Sequence, residues 1–159
     1  MNHPFEPVYD ENSTILILGT FPSVKSRETS FYYGNPQNRF WKTISRLTGE
    51  AIPETIEEKK RILLKHYIAI WDVVESCDIK GSSDSSIEHV VPNDLASIIR
   101  ISKIERIYAN GNKAFELYRR YCYDNIQQEI IKLPSTSPAN AAYSVERLVE
   151  CWGQTISME

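Results

Sequence analysis

The run Ile15-Leu16-Ile17-Leu18 breaks at Gly19, and Pro22 follows close behind. Four apolar residues with β-branched isoleucine among them read as a strand buried on both faces, the kind found inside parallel sheets. Gly19 and Pro22 end it abruptly. In an open α/β sheet, ligands bind beyond the carboxyl ends of the strands. The stretch after this strand is therefore where the chemistry of the chain is expected. It holds Thr20-Phe21-Pro22-Ser23, a polar segment, and then Phe31-Tyr32-Tyr33-Gly34-Asn35-Pro36-Gln37-Asn38. Long loops of this sort are functional or disordered, and a disordered segment would not carry so many aromatic rings.

The rest of the chain alternates between two periods. Residues 14–18, 67–74, 104–109 and 130–133 read as strands. A helix is predicted over 38–47, where Phe40, Trp41, Ile44 and Leu47 share one face, and Gly49 stops it. A second covers 55–65 and opens on the capping-box pattern Thr55-Ile56-Glu57-Glu58. Asn93 is the expected cap of a short helix reaching to 101. Longer helices are predicted over 113–122 and 142–156. Residues 1–13, with Pro4 and Pro7, read as an extended lead-in, and 76–86 as a loop. The fold class is thus α/β: a single three-layer domain over 1–159, with a central, mostly parallel four-stranded sheet flanked by helices. Two loops, 19–38 and 134–141, follow strands and precede helices, so they are expected to form one cleft.

Composition excludes several functions. No apolar run is long enough for a membrane span. The first residues, with no basic start and no apolar core, do not resemble a signal peptide, so a cytoplasmic protein is the expectation. The net charge of −3 argues against a nonspecific nucleic-acid coater but leaves room for a local basic face. Cys77, Cys122 and Cys151 are odd in number and far apart, which argues against a disulfide framework or a zinc ribbon. They are expected to be small buried hydrophobes. Walker, dinucleotide-binding and nucleophile-elbow motifs are absent. His3, His66 and His89 lie beside neither loop in sequence and have no metal-ligand spacing, so neither a catalytic triad nor a metal site is expected.

What the loops offer is aromatic faces, carboxamides and backbone donors. Rings stack on planar heterocycles, and carboxamides suit base edges and can hold a water. A helix N-terminus after Ser137-Pro138-Ala139-Asn140 would present donors to a phosphate. These features suit a nucleobase on a sugar-phosphate chain. They also suit a plain core, with Tyr33 and Phe21 buried and Asn38 capping a helix.

The first loop with its helix, and Leu133-Pro134-Ser135-Thr136-Ser137-Pro138-Ala139-Asn140-Ala141, resemble the two signature motifs of the uracil-DNA glycosylase superfamily. The resemblance spans most of the chain. Asn35-Pro36-Gln37-Asn38-Arg39-Phe40-Trp41-Lys42 is similar to the mismatch-specific branch. Gly19-Thr20-Phe21-Pro22-Ser23, Tyr32-Tyr33-Gly34 and Ser137-Pro138-Ala139-Asn140 are closer to the hypoxanthine-DNA glycosylase branch. Phe21 aligns with the water-positioning Asn of the mismatch-specific enzymes and cannot do that work. Resemblance to the hypoxanthine branch implies that the catalytic role passes to Asn38 and that Tyr33 stacks on the extruded base.

The resemblance further implies base contacts from Gly19, Thr20, Phe21, Pro22, Ser23 and Tyr33. Ser135, Ser137, Pro138, Ala139 and Asn140 would supply a wedge in the minor groove and phosphate contacts. The implied partner is DNA containing a deaminated base, hypoxanthine favoured, cleaved by a monomer without metal or cofactor. Lys25 and Lys42 sit in no pattern for Schiff-base chemistry, so a monofunctional enzyme that leaves an abasic site is expected. Asp72, Asn110 and Lys113 are secondary candidates at strand ends, with Lys25 or Lys113 as a phosphate contact. A uracil or mismatch glycosylase, a noncatalytic nucleotide-binding module and a free-nucleoside hydrolase remain the alternatives.

Overall fold

A computed structural model describes residues 1–156. In chain order the elements are β1 (Ile15–Gly19), α1 (Val24–Thr29), α2 (Phe40–Thr48), α3 (Ile56–Lys65), β2 (Ile68–Asp72), β3 (Val74–Asp78), β4 (Glu88–Pro92), α4 (Leu95–Arg100), β5 (Arg106–Asn110), α5 (Asn112–Tyr121), α6 (Tyr123–Ile126), β6 (Ile130–Leu133) and α7 (Val145–Thr155). Four strands form one sheet in the order β2-β1-β5-β6, and every pairing in it is parallel. This is the expected α/β architecture.

The alternation of β1 builds both sides of the sheet. Ile15 and Ile17 join Phe40, Trp41, Ile44, Leu63, Leu148 and Trp152 on the face covered by α2, α3 and α7. Leu16 and Leu18 join Leu95, Ile98, Ala114, Leu117 and Tyr118 on the face covered by α4 and α5. A strand buried on both faces needs no polar position, which is why β1 reads as an unbroken apolar run. From β1 the chain first moves outward to β2, then crosses to β5 on the other side. The order therefore reverses between β1 and β5, and the crevice at their carboxyl ends is where such sheets bind ligands.

Several expectations need correction. The 19–38 loop contains α1, because the Ser23 hydroxyl accepts from the Ser26 N–H (3.1 Å) and starts a helical turn. The strand expected over 67–74 is two strands that part at Val73, whose N–H donates to Gly19 O (2.9 Å). β3 then leaves the main sheet and pairs antiparallel with β4 through irregular registers. Part of the loop expected at 76–86 is therefore strand. Asn93 does not cap α4. Asp94 takes that position, and the Asn93 side chain turns inward to donate to Asp72 O (2.8 Å). In α3 the Thr55 hydroxyl caps as expected, but the reciprocal bond to Glu58 comes from the N–H of Glu54. The last helix starts at Val145, capped by Ser144, later than expected. Cys77 and Cys122 are buried free thiols, whereas Cys151 is only half-buried; burial pushes the Cys122 thiol up to about 11. The extended lead-in is tied down. Asn2 bridges to Ser76 and Val8 to Ile70, which lays the segment along β3 and β2.

Candidate active site

Beyond the carboxyl ends of β1, β2 and β5 lies a cavity of about 290 Å3. Its size is at the low end for small-ligand pockets (roughly 300–1,000 Å3), scaled for one base rather than an extended cofactor. Gly19, Thr20, Phe21, Pro22 and Ser23 form one wall, Tyr32, Tyr33, Asn35 and Asn38 another, and Ser135 to Ala139 a third. Asp72 and Asn110 also line it. The two loops thus meet at one rim. Lys113 is not among the lining residues, and Lys25 pairs instead with Glu28 (3.4 Å) on the exposed side of α1.

Gly19 is where the two strand ends press together. A Cβ there would stand 2.4 Å from Asp72 Oδ1 and 3.1 Å from the Tyr33 hydroxyl. The Asp72 carboxylate has little freedom to retreat. Its Oδ2 lies 2.8 Å from His3 Nε2, and both side chains are almost fully buried. The Phe5 N–H points at His3 Nδ1 (3.4 Å), so Nε2 carries the hydrogen that Asp72 accepts. Oδ1 is left at the pocket without a protein donor among the described residues. Gly19→Ala is expected to slow any reaction in this pocket by at least about tenfold while the fold persists, because reacting geometries tolerate little displacement. Single-turnover kinetics alongside a thermal melt would check it.

Tyr33 takes a left-handed backbone conformation (φ 54°), which costs a non-glycine residue roughly 1–3 kcal/mol. Stacking of its ring on Phe40, centroids 3.9 Å apart and 15° from parallel, holds it there. Its hydroxyl is buried, with no partner in hydrogen-bond geometry among the described residues. Burial, and after it the Asp72 charge, keeps that hydroxyl well above the usual tyrosine range. Phe21 is buried edge-on to the His3 ring (6.0 Å).

Asn38 stands one residue further from α2 than expected. The helix begins at Phe40, and Asn38 closes a turn whose N–H donates to Asn35 O (2.9 Å). Its Oδ1 accepts from the Phe40 N–H (2.9 Å) and from the Thr136 hydroxyl (2.8 Å). Thr136 is fully buried. Its N–H donates to Asn110 Oδ1 and its hydroxyl oxygen accepts from Asn110 Nδ2, both at 3.0 Å. The two loops are therefore joined through side chains as well as by proximity.

Arg39 joins them a second time. Its backbone N–H donates to Thr136 O (3.0 Å). Its Nε donates to the same carbonyl (3.1 Å), and Nη2 to Ser137 O (2.8 Å) and Asn140 O (3.1 Å). Nη1 donates to Tyr143 O. This bonding explains why 137–143 is a braced turn rather than the helix N-terminus expected after Asn140. Pro138 and Ala139 form its exposed apex. The Asn140 amide is turned back to donate to Ser135 O (3.0 Å), so it is engaged within the loop.

Sequence reasoning missed His3, Thr136, Arg39 and Asp84. Asp84 lines the pocket from the β3–β4 connection, which is latched to α1 through Ser82 accepting from the Val24 N–H (2.9 Å). The packing around the Asp84 carboxyl, then the Asp72 charge, raise its pKa, while Lys113 opposes them. A second groove, of about 560 Å3, runs along the other side of the 134–143 loop past Asn112, Lys132 and Tyr143. No three His, Cys, Asp or Glu side chains of the described residues converge as metal ligands. Among the same residues no helix is long and apolar enough to cross a membrane.

Comparison with known proteins gives the family and the fold. A sequence profile of the uracil DNA glycosylase superfamily matches residues 6–154. The chain is 40% identical over 148 residues to a hypoxanthine DNA glycosylase of Methanosarcina acetivorans, covering 90% of each chain. It is 32% identical over 115 residues to a hypoxanthine DNA glycosylase of Methanosarcina barkeri, covering 70% of this chain and 72% of that one. Its fold superposes with a TM-score of 0.80, at 37% identity, on the solution NMR structure of a Methanosarcina acetivorans protein provisionally described as a uracil DNA glycosylase. That match covers 94% of this chain and 92% of the other.

Proposed function

The chain belongs to the uracil-DNA glycosylase superfamily and is a DNA glycosylase acting on deaminated bases, and from that premise we propose that hypoxanthine is its favoured target. It hydrolyses the N-glycosidic bond and leaves an abasic site without strand cleavage. The observation that carries this reading is the convergence of Tyr33, Asn38, Asp72 and the 135–139 turn on one base-sized pocket.

A base inside a duplex is out of reach, so the nucleotide must be swung out. Pro138 and Ala139, at the exposed apex of a braced turn, fill the space it leaves. Lys132 and the groove beside that turn follow the strand. The extruded purine lies against Tyr33, with Phe21 and the Gly19–Ser23 backbone closing around it. Asp72 Oδ1 is an acceptor and nothing else. Deamination of adenine turns N1 from a lone pair into an N–H, which Asp72 accepts; adenine would point its lone pair at the carboxylate and be repelled. An ion held by a neighbouring donor makes a strong hydrogen bond with fixed direction. As the bond to the sugar breaks, its electron pair leaves with the base, on which negative charge collects; the oxygen of a water bonds to the sugar's anomeric carbon, and the proton that the water gives up balances the base anion. Asn38, fixed by Phe40 and Thr136, supports the reacting centre with its carboxamide.

The test is a base-release panel. Duplexes carrying hypoxanthine, xanthine, uracil opposite guanine, thymine opposite guanine, or undamaged adenine are compared with free inosine. Hypoxanthine duplex is expected to be fastest and adenine inert. Faster release of uracil would move the protein to the uracil branch. Cleavage of free inosine at a comparable rate would make it a nucleoside hydrolase, and affinity without release a binding module.

A further inference from the structure

The hydrogen bonds around Asn38 leave no freedom in how its carboxamide is turned. A backbone N–H can only donate, so the atom facing Phe40 N must be the Asn38 oxygen. The Thr136 N–H likewise fixes Oδ1 of Asn110 toward itself, which puts Asn110 Nδ2 on the Thr136 hydroxyl oxygen. That hydroxyl has one hydrogen left, and it goes to Asn38 Oδ1 (2.8 Å). A carbonyl oxygen has two lone pairs, and both are now engaged. The Asn38 Nδ2 hydrogens have no acceptor among the described residues, and Asn38 lines the pocket.

We propose that Thr136 is a positioning residue that commits the Asn38 carbonyl oxygen to the protein, so that Asn38 meets the substrate as a hydrogen-bond donor through its amide N–H pair. The proposal rests on the reading of Asn38 as the catalytic carboxamide, and it changes what that residue does. An oxygen already holding two donors is a poor third acceptor for a water hydrogen. An N–H pair suits an atom gaining electron density, as the ring of a departing base does when the glycosidic electron pair moves onto it. Asn110, at the end of β5, belongs to the same relay, because without its carboxamide the Thr136 hydroxyl is free to rotate. The relay also explains why a threonine in an irregular loop is fully buried.

Two comparisons on hypoxanthine duplex, in single-turnover conditions, test this. Thr136→Val keeps the shape and removes the hydroxyl; Thr136→Ser keeps the hydroxyl. The valine variant is expected to lose at least about tenfold in the rate of base release with substrate affinity unchanged, and the serine variant to stay within about threefold of wild type. Equal rates for Thr136→Val and wild type, or equal losses for both variants, would overturn the proposal. Asn38→Asp gives a second reading that does not depend on the valine variant folding. At about pH 7.5 its carboxylate keeps the acceptor oxygen for Phe40 and Thr136 but has no N–H to give. A donor role makes it as slow as Asn38→Ala; recovery to more than about a tenth of the wild-type rate would mean that the oxygen does the work, and the proposal fails. If Asn38→Ala itself releases base at full rate, the reading of Asn38 as catalytic falls instead. A slow Asn38→Ala beside a wild-type-like Thr136→Val removes only the relay.

Discussion

Asn38→Ala is expected to slow release of hypoxanthine by about 10²–10³-fold, the range found when one preorganised hydrogen-bonding group is taken from a reacting centre. The protein itself should survive the change. Two bonds to the Asn38 oxygen disappear, from Phe40 N and Thr136 Oγ1; at roughly 0.5–1.5 kcal/mol each, their loss leaves a domain of this size folded. Affinity for duplexes carrying hypoxanthine should stay near wild type, because Tyr33 and Phe21 are untouched and Arg39 still braces the loop from Thr136 to Tyr143. The measurement is a single-turnover rate beside a binding isotherm and a melt. A rate within about threefold of wild type would show that Asn38 is the cap of a turn and no more, and would throw weight onto Asp72, another fixed polar group at the pocket.

How much of this site could be read from the chain depends on whether each residue's role is local. Gly19 and Asn110 end strands whose apolar runs are legible, so their place at the carboxyl edge of the sheet follows from periodicity. Asn38 and Tyr33 lie just before a helix whose apolar face is equally plain, and the roles proposed for them come from the resemblance to a known family. Thr136 has no such signature. It sits in Ser135-Thr136-Ser137, and only the tertiary contacts of Asn110 and Asn38 distinguish it from its neighbours. A partial clue was available: an Asn closing a buried strand must find partners. His3 was illegible for a different reason. Its segment is short, polar and broken by prolines, and it reaches Asp72 across 69 residues by pairing alongside β2 and β3. The β3–β4 hairpin escaped because β4 is largely exposed and so lacks the apolar alternation that marks a strand.

Arg39→Ala is expected to damage both stability and catalysis, and the second effect identifies the loop as the moving part. The guanidinium serves four backbone carbonyls of an irregular segment, those of Thr136, Ser137, Asn140 and Tyr143. Three of these carbonyls keep a backbone donor when the side chain is gone: Thr136 O from the Arg39 N–H, Ser137 O from the Asn140 N–H and Asn140 O from the Tyr143 N–H. Hydrogen bonds to a charged group contribute about 1.5–3 kcal/mol each, but the carbonyls nearest the surface regain water when the side chain is gone. A net loss of about 3 kcal/mol is the expected balance, which lowers the melting temperature by roughly 6–12 °C in a domain of this length. The freed 136–143 turn should become the first site of proteolytic nicking.

On the proposed reading of this turn as a wedge, the rate of base release from duplex DNA should fall by about 10²-fold, since a wedge that wanders cannot hold a nucleotide out of the stack. Single-stranded substrate supplies the discriminating control. There is little stacking to replace, so Arg39→Ala should lose less on a single strand than on a duplex. Arg39→Lys should fall between wild type and alanine, because an ammonium cannot span carbonyls that a planar fork reaches together. If the alanine variant keeps a protease-resistant turn and loses equally on both substrates, Arg39 acts on the chemistry rather than on the wedge, and the 135–139 turn is held by its remaining bonds, among them those of Thr136 with Asn110 and Asn38 and of the Asn140 amide with Ser135 O.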